Sequence, residues 1–69
     1  MIENEGYNTI GDVPFCKHHS QYMAADIYRA HHADGRPRMH YIAKIGDVVL
    51  TARNLSGIRE AVRDFRRCE

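Results

Sequence analysis

The stretch DVPFCKHHSQYMAADIY, residues 12–28, places Cys16, His18 and His19 within four positions, with His31, His32 and His40 downstream. Thiolate and imidazole are the usual ligands of a tetrahedral zinc ion. Cys16 and His19 are three apart, a spacing that sets both on one side of a helical turn or knuckle. Recognisable zinc frameworks add a second compact ligand pair, and none is present. His31 and His32 are adjacent, so on a helix they diverge by about 100° and cannot share one ion. A zinc module using Cys16 and the histidines (His18, His19, His31, His32) is therefore a third expectation, behind two others. No metal site or cofactor is assigned.

Nucleophilic chemistry fits less well. A Cys16–His19 pair needs an orienting group, an oxyanion site and a sheltered pocket. Sixty-nine residues can hardly build all three, because a chain of that size buries only about 60% of its unfolded surface. The segments GDVPF and GDVVL lack the phosphate-loop pattern, which requires a second Gly followed by Lys. The expectation is that this is not an enzyme. Cys16 and Cys68 lie near opposite ends, and in a cytosolic chain a single candidate pair stays as free thiols.

The basic residues form the more informative set. Eight of the ten are Arg. Residues 1–28 hold one basic group against four acidic ones, whereas residues 29–69 hold nine against five. Arg59, Arg63 and Arg67 recur at four-residue spacing, which makes one helical stripe, with Arg66 beside it. Like charges at that spacing weaken a helix slightly, so a partner that rewards them is implied. The planar guanidinium donates two hydrogen bonds at once to phosphate. Glu60 and Asp64 stand close enough to pair with these arginines, which is the competing explanation.

These groups need elements to position them. In MHYIAKIGDVVLTARN, residues 39–54, Gly46-Asp47 lies between two β-rich runs and predicts a two-residue hairpin. Pairing outward sets Ile45 against Val48 and Tyr41 against Ala52. One face then holds Tyr41, Ala43, Ile45, Val48, Leu50 and Ala52, all apolar. The other holds His40, Ile42, Lys44, Val49, Thr51 and Arg53. Residues 54–67 predict a helix, because Leu55, Ile58, Val62 and Phe65 follow 3-4-3 spacing, with Asn54 or Ser56 as the cap. Its stripe docks on the apolar face of the hairpin.

Residues 20–33 are expected to be helical as well, from Ser20 as a cap, four alanines and Gly35 as a stop. The rival is a strand over residues 26–32. Residues 1–19 are expected to be irregular or to form short strands. Ile10-Gly11-Asp12-Val13 recurs as Ile45-Gly46-Asp47-Val48, which suggests a repeated turn. With residues 26–32 as a strand, the order of three strands and then a helix over residues 26–67 is similar to the arm-binding domains of phage-type integrases. That resemblance implies DNA recognition by a sheet.

The fold expected is α+β in a single domain: an extended amino-terminal segment and a helix, a central two-stranded antiparallel hairpin open to a third strand, and a carboxy-terminal amphipathic helix packed on the sheet. The function expected is a non-enzymatic module that contacts nucleic-acid phosphates through Arg53, Arg59, Arg63, Arg66, Arg67, Lys44 and Arg38. The alternative is a protein-binding adaptor or inhibitor, of phage or mobile-element type and able to form a homodimer. Uncovered Ile42 and Val49 and the interface-prone Tyr7, Tyr22 and Tyr28 favour it. No apolar run reaches the ~20 residues of a membrane span, and the first residues do not resemble a signal peptide, so the expected location is cytoplasmic, without a membrane partner.

Overall fold

A computed structural model describes residues 6–68. The elements are β1 (Asn8–Ile10), β2 (Val13–Tyr22), β3 (Ala25–His31), β4 (Pro37–Ile45), β5 (Val48–Ala52) and α1 (Leu55–Arg67). All neighbouring strands are antiparallel, and their order in the sheet is their order in the chain. The sheet curls into an open half-barrel with α1 on one face.

Turn chemistry explains two of the hairpins. Ile10 pairs with Val13, and Ile45 pairs with Val48. Gly11 and Gly46 take φ of +60° and +58°, and the aspartates that follow are not among the positive-φ residues. That is the type II′ pattern, which wants Gly at its first central position. The recurring tetrapeptide therefore makes the same bend twice. The expected register from Ile45–Val48 out to Tyr41–Ala52 is the register found.

The expected helix over residues 20–33 is absent. Ser20 continues β2, residues 23–24 turn, and β3 follows. Met23 (φ 49°) and Ala24 (φ 63°) are both left-handed, as a type I′ turn requires, although Asn-Gly is the usual pair there. The alanines favoured a helix, but Ala25, Ile27 and Ala30 are fully buried in the sheet, and tertiary burial outweighs propensity. Gly35 serves the β3–β4 loop instead of ending a helix, with φ 96°. There Asp34 accepts from the Arg36 amide and guanidinium. The amide bond comes first in holding that carboxyl below its usual range. Residues 8–19, expected to be irregular or to form short strands, hold β1 and most of the ten-residue β2, so the expected central two-stranded hairpin is instead one edge of a five-stranded sheet; residues 1–5 lie outside the described residues.

Two apolar clusters hold the sheet. On one face, Ala25, Ile27, Tyr41 and Ala43 meet Ile58 and Val62 of α1. Full burial of Ile58 and Val62 stabilises the helix contact by about 1.5–3 kcal/mol each. Asn54 caps α1 by accepting from the Gly57 amide at 2.6 Å. On the other face, Ile10, Cys16, Ala30 and Ile42 are buried together. Ile42, expected to be covered by the amino-terminal segment, a second copy or a target protein, is covered by the chain's own first three strands. Val49 stays 39% exposed.

Candidate functional site

Cross-strand register sorts the helix-side face into rows. Ser20, Ile27, Ala43 and Leu50 form one row, largely apolar and partly under α1. The next row is Lys17, Arg29, Tyr41 and Ala52. Here the face changes from apolar to cationic, beside the end of β5 where α1 begins. The first turn of α1 carries no acidic residue, so the positive end of its dipole is left unopposed.

Each cation of that row is held by an aromatic ring. The Lys17 ammonium lies 5.7 Å from the centroid of Tyr7, and the Arg29 guanidinium 5.2 Å from that of Tyr41. Arg29 Nε donates to the Arg38 carbonyl at 3.1 Å. These contacts orient the cations without neutralising them. Among the described residues the ion pairs are His18–Asp26 and Asp34–Arg36, so neither Lys17 nor Arg29 meets a carboxylate.

Histidines complete the surround. His31 stacks edge-on to Tyr7, and His19 edge-on to Tyr41. A carbonyl only accepts, so the 3.3 Å contact of His31 Nδ1 with Phe15 O puts the proton on Nδ1. Phe15 itself is left-handed, with φ 57°. A bulge between His18 and Ser20 inserts His19 into β2, and another irregularity separates Arg29 from His31. Bulges re-aim side chains and are frequent beside functional sites. The result is a shallow depression of about 140 Å³ lined by Lys17, His18, His19, Arg29 and His31.

The seven expected contact residues lie elsewhere. Arg59 rests over the Tyr22 ring at 5.8 Å, and Arg66 Nε donates to the Met23 carbonyl at 3.0 Å. Both tie α1 to the β2–β3 turn. Arg63, Arg67 and Arg53 are exposed. Lys44 alternates with Ala43 and Ile45, which puts it on the face opposite α1. Arg38 is half-buried in β4. The helix arginines and Lys44 thus do not share one surface, whereas Lys17, Arg29, His19 and His31, outside the expected set, do converge.

The cysteine and histidines of the zinc expectation are also separated. Cys16 is fully buried in the cluster facing away from α1, whereas His19 and His31 border the depression. Among the described residues no group of three or more His, Cys, Asp or Glu is placed to hold a metal ion. Cys16 and Cys68 are free thiols. No described helix is long and apolar enough to cross a membrane.

No family model, curated protein or solved structure matches the chain. The order β3-β4-β5-α1 is that of the integrase arm-binding resemblance, with two strands added before it; it is a likeness of element order alone.

Proposed function

We propose that the protein is a small non-enzymatic binding module that contacts nucleic-acid phosphates. The primary contact is the cationic row at the open end of the sheet, with Lys17 and Arg29 as the phosphate ligands. The exposed Arg53, Arg63 and Arg67 add attraction at longer range.

One observation carries this reading. Lys17 and Arg29 are directly opposed across β2 and β3, with no carboxylate paired to either among the described residues. Like charges in that position destabilise a sheet. An anion seated between them turns the repulsion into binding energy, and Arg supplies the fork that phosphate accepts. A salt titration tests it. Affinity for generic DNA should fall linearly on logarithmic axes. Replacing both residues (Lys17→Gln with Arg29→Gln) should shrink the slope by roughly 1.4–1.8 units, since each phosphate contact contributes about 0.7–0.9. No binding at low salt would remove the reading.

The protein-binding alternative has its own support. β1 pairs with β2 only as far as Cys16, so Lys17–Tyr22 has no second neighbour among the described strands. Met39 is 73% exposed. A free strand edge can accept a peptide strand. Such binding would be nearly insensitive to the Lys17 and Arg29 replacements and would survive high salt.

A further inference from the structure

We infer that the nucleic acid is taken as a single strand, one unstacked base entering the depression beside Lys17 and Arg29. This rests on the phosphate-binding reading above and names the form of the ligand.

Three kinds of group meet at this end of the sheet. Lys17 and Arg29 supply charge for the phosphate. Flat groups stand around them: the exposed His19 ring, the half-buried His31 ring and the Arg29 guanidinium. Bases stack on such planes whatever their identity. The third is the outer edge of β2 past Cys16, which has no strand beside it among the described residues.

That edge separates single strands from duplexes. The main chain there offers N–H and C=O groups, and an unpaired base has a free Watson–Crick edge to meet them. In a duplex those edges are already bonded to the opposite strand, and the ring faces are stacked inside. A duplex could use the two cations alone. The size agrees: about 140 Å³ is close to the ~150 Å³ that accommodates a single six-membered ring, and it is open on one side, so the attached backbone can remain in solvent.

Competition measured by fluorescence anisotropy tests the inference on the full chain. The probe is a labelled oligothymidylate of about twelve nucleotides in about 50 mM salt. The competitors are the unlabelled strand, an oligouridylate of the same length, a blunt duplex and inorganic polyphosphate of matched charge. Either single strand should compete at least about tenfold better than duplex or polyphosphate, the equivalent of one stacked base. Arg29→Lys keeps the charge but removes the plane and the two-pronged donor, so it should weaken the single strand about fivefold and polyphosphate by clearly less. His19→Ala, at an exposed bulge, should act the same way and serves if Arg29→Lys does not fold. Equal competition by duplex or polyphosphate overturns the single-strand inference and leaves the phosphate reading standing. Failure of every ligand to bind removes both.

Discussion

Lys17 and Arg29 face each other across β2 and β3, each braced by a tyrosine ring and neither neutralised by a carboxylate among the described residues. Such a pair lowers the stability of the free protein. Lys17→Thr relieves the repulsion and places a β-branched residue in a strand, so it should stabilise the fold by about 0.2–1 kcal/mol. The same substitution should weaken nucleic-acid binding. Urea unfolding together with the salt titration checks the opposite signs. A variant both less stable and unaltered in binding would mean that Lys17 serves only the fold.

The helix arginines divide by partner. Arg59 stacks on Tyr22, and Arg66 bonds the Met23 carbonyl. Replacing either with Ala should destabilise the protein by about 0.5–1.5 kcal/mol. Arg63→Ala and Arg67→Ala should stay within about 0.5 kcal/mol of the parent. Thermal melts of the four single variants provide the comparison. Equal losses at all four would show that the β2–β3 turn does not hold the helix.

Strain at Met23 and Ala24 gives a third expectation. Both residues are left-handed, a conformation that costs a side-chain-bearing residue roughly 1–2 kcal/mol. Met23→Asn with Ala24→Gly supplies the usual type I′ pair. The double variant should gain about 1–2 kcal/mol, read as a higher urea midpoint with an unchanged slope. The bond from the Arg66 side chain to the residue 23 carbonyl survives the change, so a loss of stability would contradict the turn itself.

This same turn explains what the sequence made legible and what it hid. Gly46-Asp47 sits between clean alternations, and Leu55, Ile58, Val62 and Phe65 keep helical spacing, so the last hairpin and α1 can be read directly. Ile10-Gly11-Asp12-Val13 carried the same signal for the first hairpin. Met23-Ala24 carries none, because neither residue prefers positive φ. Bulges at His18–Ser20 and Arg29–His31 break the alternation of β2 and β3. Cys16, Ala25, Ile27 and Ala30 are buried on both faces of the sheet, which erases the half-buried pattern. The candidate site was hidden for the same reason: Lys17 and Arg29 are far apart in sequence and meet only once the turn at Met23-Ala24 is made.

Cys16 links burial to pH. Its thiol is fully buried and donates to the Val13 carbonyl at 3.3 Å. Burial is the largest influence and raises its pKa, opposed in part by the Ile10 backbone and the Arg38 charge. A raised folded pKa gives stability that is fully present below the unfolded thiol value, about 8.5, and is lost as pH rises through the folded one. Unfolding free energy should therefore fall with pH in the alkaline range, and less steeply in Cys16→Ala. Thiol reagents at neutral pH should label the exposed Cys68 and spare Cys16 until the protein unfolds. Rapid labelling of both would place Cys16 outside the core.

Amide chemical shifts followed during titration with a short single-stranded oligonucleotide locate the surface that binds it. Saturable changes should cluster at Lys17, His19, Arg29 and His31, with small changes at Arg63 and Arg67. Changes confined to α1, or none at these four positions while binding saturates, would contradict the cationic row as the primary contact.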